Sequence, residues 1–335
     1  MVESNSERQD LLRLKLVSRN QAGLFERLKQ LNGLVLNSRY LIEELFSVGG
    51  QSVLYLARDI ESNTIVVVKI PFLPYQKSAY FSNQEILNGR FRLQTEATIL
   101  RELNDKLLPK FVELVQWKNP LLSSARGDEI INNEYFLVIE YLHGKNHLDI
   151  AQQIHKKGPK NIFHLEKLVW KTVVDICDFF IFLESKPKRY FYTDLTPSNL
   201  FLTKLEEIPV RLLDAGSIIT SLPPIHISAF TKAYIPVRYY EAITRGESIF
   251  PTQKFVMYSM GKSFWEILTN NQAYPGEEPD FNCSEMAYFT QRTHDLVADL
   301  LTEKFESFQN LKSALDPYRS SSILLPNEIY CLLGY

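Results

Sequence analysis

Between Tyr190 and Gly216, three short polar side chains, Asp194, Asn199 and Asp214, are set among aliphatic runs that read as short buried strands. Asp194 and Asn199 stand five positions apart on a loop stiffened by Pro197, and Asp214 closes the apolar run Val210-Arg211-Leu212-Leu213. Two oxygen ligands and one base presented in this way suit a magnesium ion carried by a nucleotide, because magnesium takes few protein oxygens and keeps the rest for water and phosphate. An ordinary β-hairpin with polar turn residues suits Asp194-x-x-x-x-Asn199 as well, so that pair alone does not decide. A fourth candidate, Lys69, sits in the run Thr64-Ile65-Val66-Val67-Val68-Lys69-Ile70. A half-buried ammonium there would seek an anion, although a lysine can also protect an edge strand from pairing. Glu96, at the border of the apolar face Leu93, Ala97, Leu100 and Leu103 in a helix expected over 86–104, could reach it as that anion, although most helix glutamates are merely solvated.

These residues need elements to hold them. Residues 4–32 read as an amphipathic helix stopped by Asn32-Gly33, with Leu24, Leu28 and Leu31 on one face and Leu11, Leu12, Leu14, Leu16 and Val17 further up. Such a segment packs against the following domain, or else meets a partner helix or a second copy. From Tyr40 the period becomes strand-like. Tyr40–Phe46 leads into Ser47-Val48-Gly49-Gly50-Gln51-Ser52-Val53 and then Leu54–Ala57, a strand, a small-residue turn and a strand. Backbone N–H groups of such a turn could approach phosphate, while a plain Gly-Gly hairpin is the common alternative. Strands near 110–117 and 134–140 flank a polar loop, Ser123 to Asp128, and Glu140 to Gly144 reads as a linker. Helices are expected over 165–185 and 255–268, with two more in 292–315. Residues 217–250 read as irregular, and the tail from Pro317 as mixed.

The chain has 335 residues, 45% of them hydrophobic, which is enough for one large or two small cores. A net charge of −2 marks neither a nucleic-acid binder nor a membrane-surface binder. Cys177, Cys283 and Cys331 lack metal or disulfide spacing, which points to a reducing, cytoplasmic setting. The polar first residues lack the order of a signal peptide, and no run of about twenty apolar residues could span a bilayer.

In this order and at these spacings, the motifs resemble a eukaryotic-type protein kinase domain of the bacterial Ser/Thr branch, from about Tyr40 to about Leu315. The resemblance implies an α+β, bilobal fold: a five-stranded antiparallel N-lobe with one main helix (39–142) and a mostly helical C-lobe (143–316). Residues 1–38 would form a helical extension and 317–335 a tail. It further implies ATP and magnesium as cofactors and a protein substrate. Lys69 would hold phosphates with Glu96 as its ion-pair partner, Asp194 would be the catalytic aspartate, and Asn199 and Asp214 would bind the metal. The turn Ser47, Gly49, Gly50 and Ser52, the apolar residues Leu54, Val67 and Phe201, and the hinge from Glu140 to Leu142 would contact the nucleotide.

Departures bear on function more than on fold. Only the middle glycine of the phosphate turn, Gly49, is kept, with Ser47 and Ser52 in the outer places. Tyr192-Thr193 replaces the His-Arg before the catalytic aspartate, so a phosphorylated loop would find no arginine there. Thr196 replaces a lysine near the γ-phosphate, which removes a cation from a charge-stabilised transition state. Ala215 replaces the Phe of Asp-Phe-Gly, leaving room that Tyr192 could fill. The Ala-Pro-Glu segment is blurred around Pro236-Val237-Arg238 and Glu241. Val256 stands where an aspartate usually anchors the catalytic loop, so with Thr193 also neutral that anchoring must be replaced or lost. Three readings remain: a serine/threonine protein kinase, a pseudokinase that binds nucleotide or acts as a scaffold, and a kinase of small molecules.

Overall fold

The computed structural model describes residues 24–49, 52–71, 83–118, 120, 133–204, 209–220, 230–315 and 326–334. The first part of the helix expected over 4–32, Gly50, and the polar loop Ser123 to Asp128 lie outside the described residues. The chain divides into two compact units, one of residues 1–105 and 109–142, the other of 106–108 and 143–335.

The first unit is built on an antiparallel sheet. Its strands are β1 (Val35–Leu36), β2 (Tyr40–Val48), β3 (Ser52–Asp59), β4 (Thr64–Pro71), β5 (Phe111–Lys118) and β6 (Asn133–Glu140), in the order β1-β2-β3-β4-β6-β5. The expected five strands are therefore joined by a sixth. Asn37 and Ser38, both left-handed at φ 51 and 56, turn the chain so that Val35 and Leu36 pair with Leu41 and Tyr40. Two residues are too few to show the alternation by which strands are read.

Side chains alternate across these strands. Val53, Tyr55 and Ala57 of β3, with Val66, Val68 and Ile70 of β4, enter one apolar core. A short helix, α1 (Leu24–Leu28), and the 3-10 turn Lys29–Leu31 cover it, burying Leu24, Phe25, Leu28 and Leu31 among the strand residues. The buried Tyr55 hydroxyl donates to the Leu28 carbonyl at 3.0 Å. This end of the amphipathic segment thus packs on its own domain. At the sheet margin Arg39 grips Asp59 through two hydrogen bonds of 2.9 and 2.7 Å, which hold the Asp59 carboxyl well below the usual range. Beyond the sheet comes α2 (Asn83–Leu103), which buries Leu93, Ala97, Leu100 and Leu103.

The second unit is mostly helical: α3 (His147–Lys156), α4 (Phe163–Ser185), α5 (Val237–Thr244), α6 (Gln253–Thr269), α7 (Gln291–Leu301), α8 (Phe308–Leu315) and α9 (Pro326–Leu333). Every residue of α6 from Phe255 to Thr269 is buried, as befits a helix that is apolar nearly all round. Gly261 lets α7 come close, since a Cβ there would lie 2.9 Å from the Leu300 Cβ. Short strands complete the unit. β7 (Gly144–Asn146), β9 (Leu200–Thr203) and β10 (Val210–Leu212) form one antiparallel sheet, while β8 (Tyr190–Tyr192) and β11 (Ile218–Thr220) form another. The stretch read as irregular, 217–250, holds β11 and α5, and the tail read as mixed holds α9. No helix among the described residues is long and apolar enough to cross a membrane.

The cover on the first sheet is testable. Leu28→Ala should lower unfolding stability by about 2–5 kcal/mol, the cost of a cavity at a fully buried leucine, when measured by chemical denaturation.

Candidate functional site

The candidate residues fall in both units, and each set takes its shape from its own unit. In the first, the register of β3 and β4 puts Leu54 opposite Lys69 and Leu56 opposite Val67. Leu54, Val67 and Lys69 therefore share the sheet face turned away from the apolar core. Lys69 is 7% exposed, and its Nζ meets Glu96 of α2 at 2.9 Å to Oε1 and 2.7 Å to Oε2. The predicted pair is formed, and it is buried at both ends. A second ion pair holds α2: Arg90 Nε lies 3.2 Å from Glu134 Oε1, whose carboxyl is raised by its burial. Ser47 lies opposite Leu54 one residue before the end of its strand, and Gly49 donates its N–H to the Ser52 carbonyl at 2.8 Å. Glu140 closes β6 with its carboxylate accepting the Lys110 N–H at 3.0 Å, and Leu142 is buried just beyond.

In the second unit, Asp194, Asn199 and Asp214 come together. Asn199 Nδ2 donates to the Asp194 carbonyl at 2.8 Å and to Oδ2 at 3.0 Å, which leaves its own Oδ1 outside these bonds. The Thr231 N–H donates to Asp194 Oδ1 at 2.6 Å. Burial raises the Asp194 carboxyl, and the charge of Asp214 adds to that, while Thr231 and Asn199 oppose it. Asp214 is left-handed at φ 59, an uncommon conformation for a side-chain-bearing residue, and its Oδ2 accepts from Ser217 Oγ at 3.1 Å. The Leu213 N–H reaches the Asn199 carbonyl at 2.8 Å, tying the two halves of the motif. Phe201 lies on β9 beside Gly144, where a Cβ would come within 2.7 Å of its ring.

The substituted positions explain how the loop stands without its usual charges. The Thr193 N–H and Oγ1 both donate to the Ser217 carbonyl, at 2.9 and 3.0 Å. The fully buried Tyr192 donates its hydroxyl to the Leu213 carbonyl. Ser263 of α6 donates to the Leu195 carbonyl at 2.6 Å. The anchoring has been replaced, not lost. Val256 meanwhile is an ordinary buried apolar residue of α6. Arg238, in the blurred segment Pro236-Val237-Arg238, pairs with Glu303 at 2.7 Å. Sequence reasoning missed Ser217, Ser263 and Thr231. None of the three carried a signal that singles it out, since Ser263 shares its largely apolar helix with Ser259, Lys262 and Glu266.

Among the described residues no three His, Cys, Asp or Glu side chains gather as a metal cage. The oxygens of Asn199 and Asp214 still fit magnesium, a hard cation that is usually bound through one or two protein groups together with substrate phosphates.

No family model matches the chain. It is 26% identical over 249 residues, 74% of its length, to a probable serine/threonine-protein kinase of Clostridium perfringens. It is 22% identical over 253 residues, 73% of its length, to the serine/threonine-protein kinase PknB of Mycobacterium tuberculosis. A probable serine/threonine-protein kinase of Bacillus subtilis is 27% identical over 171 residues, 51% of the chain. Over about three quarters of its length the chain is similar to bacterial serine/threonine protein kinases. This kinase-like chain spans 31% and 34% of the length of the first two relatives and 55% of the third.

The neutral anchors of the kinase-like loop can be probed singly. Ser263→Ala strands the buried Leu195 carbonyl and should cost about 1–3 kcal/mol of stability. Amide exchange in 192–196 should quicken, as read by mass spectrometry.

Proposed function

We propose that this chain is an ATP- and magnesium-dependent serine/threonine protein kinase that transfers the γ-phosphate to a protein hydroxyl in the cytoplasm. Its lobes would be 39–142 and 143–316, with 1–38 an extension and 317–335 a tail. The observation that most supports this reading is the hydrogen-bonded set of Asp194 and Asn199, with Asp214 close enough to raise the Asp194 carboxyl.

Lys69, held by Glu96, would orient the phosphates. The turn Ser47, Gly49, Gly50 and Ser52 would follow them with its backbone, and Leu54, Val67, Leu142 and Phe201 would pack on the base beside the Glu140 backbone. Asn199 and Asp214 would hold magnesium, which neutralises charge on the transferred group. Asp194 would accept the proton of the attacking hydroxyl. Thr196, neutral and 5% exposed, supplies no cation, so turnover would be slow. That residue also favours a second reading, a pseudokinase that binds nucleotide without transferring it.

Thermal melting separates the readings. ATP with magnesium at about a hundred times its Kd should add about 2.7 kcal/mol of stability to the wild type and little to Lys69→Met. Labelled γ-phosphate should pass to protein from the wild type and not from Asp194→Ala. Binding without transfer would favour the pseudokinase. Transfer only to an added small alcohol or amine would make it a small-molecule kinase.

The Asp194 carboxyl gives a pH signature. Since its pKa in the folded protein is raised, the base is free only above the ordinary carboxylate range, and the acid limb of kcat/KM should lie correspondingly high. The same shift works against stability once pH rises through the folded pKa. Asp194→Asn should therefore abolish transfer, while its melting temperature relative to wild type rises between pH 4 and pH 8.

A further inference from the structure

The tail helix α9 buries Ile329, Tyr330 and Leu333 in the second unit. Tyr330 is 3% exposed, and its hydroxyl occupies an unusual place. It accepts the backbone N–H of Lys145 in β7 at 3.1 Å and donates to the Leu202 carbonyl in β9. Lys145 and Leu202 are register partners in that ladder, so one side-chain oxygen bridges two paired strands. The strands are close here because residue 144 is glycine: a Cβ would lie 2.0 Å from the Leu202 oxygen. Lys204, just past β9, sits over the Tyr330 ring at 5.8 Å, and Lys167 of α4 pairs with Glu328 of α9 at 3.2 Å.

The strand pinned in this way begins one residue after Asn199 and carries Phe201. We infer that Tyr330 is a positioning residue: through the Leu202 carbonyl, α9 fixes the strand that sets Asn199 and Phe201, and so the affinity for nucleotide. This rests on the nucleotide-binding reading of those two residues. Without the hydroxyl, a half-buried N–H and a buried carbonyl both lose a partner, and the site opens locally instead of unfolding.

The full chain carrying Tyr330→Phe keeps the ring and the apolar contacts of α9. Its Kd for a fluorescent ATP analogue with magnesium should rise about fivefold or more, the scale of coupling between linked sites. Amide exchange at Lys145 and in 200–203 should quicken. Glu328→Gln, which loses the Lys167 pair and keeps the hydroxyl bridge, should leave Kd unchanged. So should Leu300→Ala, which lowers the melting temperature through the α7 core, and this separates positioning from general loss of stability. An unchanged Kd in Tyr330→Phe, with a wild type that binds, overturns the inference alone. A wild type that binds no nucleotide overturns the underlying reading and the inference with it. Should Tyr330→Phe not fold, exchange in the wild type decides: Lys145 must be slow, and fast exchange there overturns the bridge.

Discussion

A lysine and a glutamate buried together, Lys69 and Glu96, are the constraint on which the first unit turns. Breaking such a pair leaves one uncompensated charge out of water and costs about 3–5 kcal/mol, so strand and helix must agree on where it forms. On β4 the agreement is a matter of register. A slip of one residue would send Lys69 to the opposite face, into the core of Val53, Tyr55 and Val68. That core, sealed by Leu24, Phe25, Leu28 and Leu31, is therefore what keeps the lysine on its proper side. Arg39 and Asp59 fix the far end of the same ladder. On α2 the agreement is one of helical phase, and Arg90 with Glu134 sets it a second time, about two turns before Glu96.

The second unit solves its positioning problem with neutral groups. Three hydroxyls, of Thr193, Tyr192 and Ser263, each meet a backbone carbonyl around the Asp194 loop. A neutral hydrogen bond of this kind contributes about 0.5–1.5 kcal/mol, but it brings no charge into the interior that later needs a partner. Val256 fits that scheme, since with Ser263 about two turns further along α6 holding the loop, an apolar side chain can pack in the helix core. Ser217 joins the parts. Its carbonyl accepts both Thr193 donors and its hydroxyl donates to the Asp214 carboxylate, so the loop that carries Asp194 and the turn that carries Asp214 cannot move independently.

What could be read from the sequence followed chain periodicity. Lys69 stood out because a charge interrupts a β-branched run, and Glu96 because the helix phase placed it beside the apolar face. α6 was legible as a very apolar stretch, although its expected limits were a residue or two short. Elements held by distant partners were not legible. β1, β7 and β11 are two or three residues long, and their pairing is decided by strands elsewhere. α5 was hidden because Pro236 reads as a loop residue, whereas here it precedes the first helical position, where a missing N–H costs nothing. α9 has only eight residues, and what seats it is a hydroxyl bonded to a carbonyl 128 positions away. No local pattern encodes such a bond.

The Asp194 site shows why these supports are needed. Two carboxylates stand near one another, and the groups that govern Asp194 besides burial are Thr231, Asn199 and Asp214, none of them a cation. With Thr196 neutral, N–H and O–H donors alone oppose the repulsion. Fixed dipoles can do this only if they are held in place, because a donor that swings away leaves a buried charge exposed to its like. The Asn199 amide is held through its carbonyl by Leu213 and through its side chain by Asp194 itself. The strand that begins with the next residue is held by Tyr330. A site whose repulsion is opposed by dipoles alone depends on each element that fixes them.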